Sequence, residues 1–231
     1  MDSTLPESWI VHEESAQPVP TRIHLVDDDQ FMREALMRML SQLGCDVVAY
    51  ESAEGFLQKL EPSLSQCLVL DLCLPGMSGI ELLATMRDAR NILPTVVLSC
   101  NDDVVSVVDS IQGGAIDFLP KPVEREPFRQ CVEKLLKCAP EFAAERRIAT
   151  RVVECIERLS PRECEAFTLL VDGKTPKQVA RALGLRPRTA HIHCSNVLAK
   201  FSVENPNDLL LLRARLAGGP YASSIAYRPQ S

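Results

Sequence analysis

Two apolar segments of the chain end in carboxylates, and this pattern constrains the fold more than any other feature. Residues 23–26 are followed by Asp27, Asp28 and Asp29, and residues 67–70 are followed by Asp71. In an open parallel sheet the carboxyl ends of the strands form the edge where ligands bind. Crowded carboxylates at that edge would repel one another unless a cation held them. The pattern therefore predicts a magnesium (Mg2+) site beside a reactive aspartate.

Two further apolar segments end in residues that suit a phosphoryl group. Ser99 follows residues 95–98, and Lys121 follows residues 116–120. A hydroxyl can donate a hydrogen bond to a phosphoryl oxygen, and an ammonium supplies a fixed positive charge. Together with the aspartates, these side chains are what phosphoryl transfer to a carboxylate requires.

The spacing of apolar segments predicts a doubly wound parallel sheet. Strands are expected at residues 22–26, 45–50, 67–71, 95–99 and 116–120, alternating with helices that begin near Phe31, Ser52, Ser78, Val104 and Glu124. Each parallel crossover needs a helix, so five such units predict an α/β, flavodoxin-like fold. Residues 78–81 form a capping box, and residues 113–114 are expected to end the fourth helix.

The order of these residues resembles a response-regulator receiver domain over about residues 21–138. The motifs that carry the resemblance are Asp27-Asp28, Asp71 with Pro75-Gly76, Ser99 and Lys121-Pro122. The resemblance implies that Asp71 accepts phosphate from a sensor histidine kinase. It also implies that Mg2+ is held by Asp28 directly, Asp27 through water, Asp71, and the backbone carbonyl of Cys73, and that Lys121 binds the phosphoryl oxygens.

Phe118 lies three positions before Lys121, where receivers carry an aromatic ring that turns inward as the hydroxyl of Ser99 moves toward phosphate. We therefore expect Ser99 and Phe118 to form the switch, with the helix at residues 104–112 beside a conditional dimer surface. A buried core role for Phe118 is the alternative interpretation.

Two other functions compete with a phosphorylation-controlled regulator. In the first, a phosphatase uses Asp71 as a nucleophile on small substrates, but Cys73 stands where such enzymes place a second, acidic aspartate. In the second, a receiver that is never phosphorylated acts through protein contacts or thiol chemistry. The presence of all five pocket residues argues against that possibility.

The net charge changes sign along the chain, which predicts two domains. Residues 1–149 contain 13 basic and 24 acidic residues, net −11, and residues 150–231 contain 12 and 7, net +5. The acidic part suits a metal-bound carboxylate pocket, and the basic part suits a polyanion such as nucleic acid. Residues 1–20 do not have the pattern of a signal peptide, and no apolar run could span a membrane, so a cytoplasmic location is expected.

The basic part begins with two capped helices. Ser160-Pro161-Arg162-Glu163 and Thr175-Pro176-Lys177-Gln178 each combine a capping box with proline at the first helical position. Four helices are expected, at residues 161–172, 176–183, 187–201 and 207–216.

The segment at about 158–217 resembles a LuxR-type helix-turn-helix domain, and the two-domain order resembles the FixJ and NarL class of response regulators. The residues that carry the resemblance are 159–163, 173–174, 178–180, 183–185, 187–189, His193, Asn196, Leu198 and Lys200. The resemblance implies binding to double-stranded promoter DNA, transcription regulation with RNA polymerase as a further partner, and a homodimer formed on phosphorylation. The protein would therefore be a regulator and not an enzyme, apart from its own phosphoryl transfer and dephosphorylation.

Helical spacing divides the third helix of this part into two faces. Ala190, His193, Val197 and Phe201 are expected to face the core. The side chains expected to read bases in the major groove are Arg188, His191, Ile192 and Ser195. Those expected to hold phosphates are Thr175, Lys177, Thr189 and Lys200. The leucines at 209–212 suggest a dimer surface, with an intramolecular core as the alternative.

The remaining segments are expected to connect or extend the domains. Residues 139–157 read as a helical or mobile linker, and residues 1–20 and 218–231 as disordered tails. The chain has nine cysteines without metal-binding spacing. We expect most of them to pack as small apolar residues, with redox sensing as the alternative.

Cys100 gives a first testable prediction. Receivers usually have glycine or alanine after the switch hydroxyl, so the bulkier thiol of Cys100 is expected to shield the acyl phosphate on Asp71 from water. A Cys100→Ala variant should therefore lose its phosphate faster than the wild type, as measured by the decay of the phosphorylated band after the donor is removed. An unchanged lifetime would favour simple packing of Cys100.

Overall fold

The computed structural model describes residue 9 and residues 21–60, 65–89, 91–100 and 115–217. These residues fall into two compact units. We call the described residues from 21 to 146 the sheet unit, and Trp9 with residues 147–217 the helical unit. Among the described residues, no helix is both long and apolar enough to cross a membrane.

The sheet unit contains a five-stranded parallel sheet. Its strand order, β2-β1-β3-β4-β5, is that of flavodoxin-like folds, so the predicted fold class is confirmed. Strands β3 and β4 are buried along their whole length. The strands are β1 Arg22–Val26, β2 Asp46–Tyr50, β3 Gln66–Asp71, β4 Thr95–Ser99 and β5 Ala115–Pro120.

The described helices of the sheet unit begin within one residue of their predicted starts. The helices are α1 Gln30–Gln42, α2 Ala53–Lys59, α3 Gly79–Asp88 and α4 Arg125–Glu157. Asp29 accepts backbone hydrogen bonds at the start of α1, and the capping box of Ser78 and Glu81 starts α3. The helix predicted at residues 104–112 and the glycines at 113–114 lie outside the described residues.

Two apolar clusters hold the sheet unit together, because successive residues of a strand point to opposite faces. Ile23 and Leu25 of β1 belong to a cluster that includes Phe128 of α4. Val26 belongs to the other, which includes Phe56 of α2. The sheet is therefore covered by helices on both sides, and the edge at its strand ends is left for polar side chains.

The helical unit contains four short helices after the end of α4. They are α5 Pro161–Val171, α6 Pro176–Ala182, α7 Pro187–Lys200 and α8 Pro206–Ala217, each within one residue of its predicted bounds. Residues 139–157, predicted as a linker, lie within α4. Most of the predicted N-terminal tail lies outside the described residues, but Trp9 is buried, which departs from the expectation of a disordered tail. The tail at 218–231 also lies outside them.

His24 gives a pH-dependent prediction for the sheet unit. Burial, with a smaller effect of Arg22, lowers the pKa of His24 from 6.5 to about 4. The unfolded chain therefore binds the proton first, and the folded state loses stability as the pH falls from about 6.5 to about 4, by at most about 1.4 kcal/mol per pH unit. In urea unfolding, His24→Gln should lose less stability than the wild type between pH 7 and pH 5. Parallel losses would contradict this.

Candidate phosphorylation site and DNA-binding face

The predicted carboxylates meet at one edge of the sheet. Asp27 follows β1 directly, and Asp71 is the last residue of β3. Together with Asp28, they offer three oxygen atoms that all lie within 4.8 Å of one another. Asp27 and Asp71 are buried, whereas Asp28 is exposed, so the cluster has one side open to solvent.

Lys121 joins the two buried carboxylates. Its Nζ lies 2.8 Å from Oδ2 of Asp27 and 2.6 Å from Oδ2 of Asp71. Burial alone would lower the pKa of Lys121, but the hydrogen bonds to both carboxylates outweigh that effect and raise it. The lysine therefore stays charged and places its ammonium against Oδ2 of Asp71.

Burial raises the pKa of Asp27, and the hydrogen bond from Lys121 opposes the rise. One ammonium can neutralise only one of the three carboxylates. A divalent cation with a preference for oxygen ligands would balance the remaining charge. The donor set of this pocket thus fits a metal ion such as Mg2+, and the open side at Asp28 gives the ion a way in.

Asp71 is held by the backbone around it. Its Oδ1 accepts a hydrogen bond of 3.0 Å from the N–H of Cys73. Gly79, the first residue of α3, packs closely against this segment: a Cβ at Gly79 would lie 2.5 Å from the carbonyl oxygen of Asp71 and 2.8 Å from Cα of Leu72. The sequence showed Gly79 only as part of a capping box, so its role in positioning Asp71 was missed.

Of the two predicted switch residues, Ser99 lies at the same edge, and Phe118 lies within β5 opposite Val97. Ser99 is the last residue of β4 and is buried, and its carbonyl accepts a hydrogen bond of 2.8 Å from the N–H of Lys121. Phe118 is half-buried and packs against the apolar cluster that contains Val97. Cys73 and Cys100 are both exposed. The switch motion of Ser99 and Phe118 stays a prediction.

The side chains predicted to read DNA lie on the exposed face of α7. Arg188, His191, Ile192 and Ser195 are all exposed, and Ile192 is 52% exposed despite its apolar side chain. The buried face differs from the prediction at one place. The buried residues on this face are Ala190, Cys194, Val197 and Phe201. Cys194 thus takes the core position predicted for His193, which is only half-buried.

The predicted phosphate-binding residues divide into two groups. Thr175, Lys177 and Thr189 are exposed around the starts of α6 and α7. Lys200 differs, because its Nζ binds Oε2 of Glu163 at 2.6 Å and the carbonyl of Arg158 at 2.7 Å. This ammonium is already used within the helical unit, so the geometry favours a structural role for Lys200 over a phosphate contact.

The leucines at 209–212 of α8 serve two purposes. Leu209 and Leu212 are buried in the helical unit, as the core alternative required. Leu210 and Leu211 are only half-buried, so they are the part of the run that stays available to a second copy.

Comparison with known proteins agrees with the fold and with the two-domain order. Residues 23–133 match the model of the response regulator receiver domain, and residues 157–212 match that of bacterial regulatory proteins of the luxR family. The chain is 32% identical over 194 residues to the transcriptional regulatory protein FixJ of Bradyrhizobium diazoefficiens, covering 84% of this chain and 94% of FixJ.

Two further similarities cover most of the chain. The response regulator protein TodT of Pseudomonas putida is 30% identical over 84% of this chain and 86% of its own length. The solved structure of the response regulator StyR is 31% identical, with a TM-score of 0.54 over 85% of this chain and 99% of that one.

A receiver joined to a helix-turn-helix domain defines the class of transcriptional regulators that respond to a signal. The chain belongs to the family of two-component response regulators with a LuxR-type DNA-binding domain, and its relatives include FixJ and TodT. From here the sheet unit is called the receiver and the helical unit the DNA-binding domain.

The close approach at Gly79 gives a prediction for the receiver. In Gly79→Ala, the added methyl group would meet backbone atoms that cannot move without displacing Asp71. We expect a loss of about 1–3 kcal/mol in the free energy of unfolding and slower phosphorylation by acetyl phosphate. Gly55→Ala is the matched control, since its Cβ would meet only the hydroxyl of Ser52, at 3.2 Å. Equal phosphorylation rates in both variants would contradict the positioning role.

The pair of Glu163 and Lys200 gives a prediction for the DNA-binding domain. Removing the carboxylate in Glu163→Ala should cost about 1.5–3 kcal/mol, because a buried charged hydrogen bond is lost. Glu165→Ala, which breaks an exposed pair with Arg162, should cost less than about 1 kcal/mol. Urea unfolding of both variants measures the difference.

The effect of Glu163→Ala should also depend on pH. The hydrogen bonds from Lys200 and from the N–H of Ser160 lower the pKa of Glu163 from 4.5 to about 2. Because the folded-state pKa is lowered, the stabilisation is complete above about pH 4.5 and is lost as the pH falls toward 2. A difference between wild type and variant that does not shrink in this range would contradict the assignment.

Proposed function

We propose that phosphorylation of Asp71 by a sensor histidine kinase controls dimerisation and sequence-specific DNA binding by this regulator. The observation that carries the proposal is the bridge from Lys121 to Asp27 and Asp71 within a cluster of three carboxylates. A structural ion pair would need only one carboxylate for one lysine. The surplus negative charge suits a site built to receive a divalent ion and a phosphoryl group.

The phosphoryl chemistry follows from the positions of the side chains. A carboxylate oxygen of Asp71 attacks the phosphorus of phosphohistidine, the nitrogen–phosphorus bond breaks, and an acyl phosphate forms. Lys121 would then pair with the new phosphoryl oxygens in place of the carboxylate oxygen it now contacts at 2.6 Å. The hydroxyl of Ser99 would donate to another phosphoryl oxygen, and Phe118 would move with it.

Mg2+ is the metal that this donor set suits, and Asp27, Asp28, Asp71 and the backbone carbonyl of Cys73 would hold it. When bound, it would neutralise charge that develops on the transferring phosphoryl group. The phosphatase alternative lacks its acid, because Cys73 offers an exposed thiol two positions after Asp71.

DNA binding is assigned to the exposed face of α7. Arg188, His191, Ile192 and Ser195 would meet base edges in the major groove of promoter DNA, and Thr175, Lys177 and Thr189 would meet phosphates. Because α7 alone offers few cations, paired half-sites bound by a dimer would multiply the contacts. Leu210 and Leu211 are the candidates for the dimer contact, and RNA polymerase is the expected further partner.

Phosphorylation with acetyl phosphate tests the pocket. The wild type should become phosphorylated in the presence of Mg2+, and the reaction should stop when the metal is removed with EDTA. Asp71→Asn should remain unphosphorylated because the nucleophilic oxygen is lost. Gels that retard phosphoproteins, together with intact-protein mass, measure the product.

Two variants make this test specific. Asp28→Asn should need a higher Mg2+ concentration for the same rate, because it removes a metal ligand and leaves the nucleophile. Asp46→Asn is the matched control, since Asp46 pairs with Arg22 at the other end of the sheet. Phosphate on Asp71→Asn, or an equal Mg2+ requirement in the Asp28 and Asp46 variants, would contradict the proposed site.

A further inference from the structure

Trp9 is buried in the DNA-binding domain, although it precedes the receiver in the chain. It is the only tryptophan of the protein, it is 2% exposed, and it belongs to the same compact unit as residues 147–217. It also lies outside both segments that match the family models, residues 23–133 and 157–212.

Three different contacts hold the indole ring. Its Nε1 donates a hydrogen bond of 2.7 Å to the carbonyl of Phe201. Its ring stacks on the ring of Phe201, with centroids 6.2 Å apart and planes 20° apart. The guanidinium of Arg151 in α4 lies over the indole, 4.4 Å from the ring centroid. A stacked ring, a satisfied N–H and a cation over the π face together describe a specific pocket for tryptophan.

The pocket lies at the end of the helix proposed to read DNA. Phe201 is the C-cap residue that directly follows α7, and a carbonyl at the end of a helix has no donor within the helix. Trp9 supplies that donor. Phe201 in turn stacks on Phe167 of α5, with centroids 4.9 Å apart, so Trp9 extends an aromatic row that reaches into the core of the domain.

We propose that the N-terminal segment of this chain is a ligand of its own DNA-binding domain, anchored by Trp9 in the pocket of Phe201 and Arg151. Because Trp9 and its pocket belong to one chain, the contact is intramolecular, and its occupancy does not depend on the protein concentration.

Anchoring also has a consequence for DNA binding, which depends on the proposed role of α7. Arg188 and Ile192 lie on α7, and by satisfying the carbonyl of Phe201, Trp9 holds the C-terminal end of that helix. Loss of the anchor should loosen that end and weaken DNA binding, whereas phosphorylation of Asp71, which uses only receiver residues, should continue.

The single tryptophan makes the anchor directly measurable in the full chain, without DNA or phosphate. We expect emission at shorter wavelength, and quenching by acrylamide several-fold weaker, than in the urea-unfolded chain. In nuclear magnetic resonance spectra of 15N-labelled protein, the one indole N–H signal should exchange slowly with solvent. Emission and quenching equal to those of the unfolded chain would overturn the proposal, whatever the fate of the proposed function.

Substitutions in the pocket test whether Arg151 contacts the indole ring of Trp9. Arg151→Gln removes the cation over the ring from a half-buried position on α4 and should increase quenching by acrylamide. Arg158→Gln, an exposed change of the same charge just after α4, is the control and should leave quenching unchanged. Equal quenching in both variants would contradict the pocket.

Dilution distinguishes a pocket filled by Trp9 of the same chain from one filled by Trp9 of a second copy. A segment bound in its own chain should show the same quenching at every protein concentration. Light scattering on the same samples measures whether a dimer dissociates. Quenching that rises together with dissociation would show that Trp9 inserts into a second copy and would overturn binding within one chain.

Discussion

The ion-pair bridge from Lys121 to Asp27 and Asp71 is the interaction on which the proposed function of the receiver depends. It joins the ends of three strands, β1, β3 and β5, through one ammonium. Two buried carboxylates that both contact one ammonium would repel each other without it. The charge of Lys121 allows Asp27 and Asp71 to stay close together, although burial raises the pKa of Asp27. The pocket therefore carries more negative charge than Lys121 neutralises, which suits the binding of a divalent metal ion beside the proposed phosphorylation site.

The rest of the receiver holds Asp27, Asp71 and Lys121 in position. The parallel sheet delivers the side chains to one edge, and the apolar clusters on its two faces keep the strands in register. The backbone N–H of Cys73 fixes one oxygen of Asp71, and the missing side chain of Gly79 lets α3 pack directly against the end of β3. A small change in this packing would move Asp71 relative to Lys121, and the proposed phosphoryl transfer depends on such positioning.

Much of the receiver could be predicted from the sequence because its signals are local. Apolar runs that end in Asp27, Asp71, Ser99 and Lys121 place those residues at strand ends, and parallel strands bring such ends together. Contacts that join distant segments left no comparable signal. The capping box showed Glu163 at the start of α5, but nothing in it indicated that Lys200 would reach back to it. In the same way, no periodic pattern surrounds Trp9, so its burial against Phe201 could be seen only in the structure.

Phosphate on Asp71 is proposed to control DNA binding, and one titration tests this control most directly. Labelled DNA from upstream of the coding region and from neighbouring promoters would be titrated with wild type and with Asp71→Asn, each with and without acetyl phosphate and Mg2+. We expect acetyl phosphate with Mg2+ to increase the affinity of the wild type for this DNA and to leave the affinity of Asp71→Asn unchanged. Equal affinity of both proteins under all conditions, on DNA that they do bind, would contradict it.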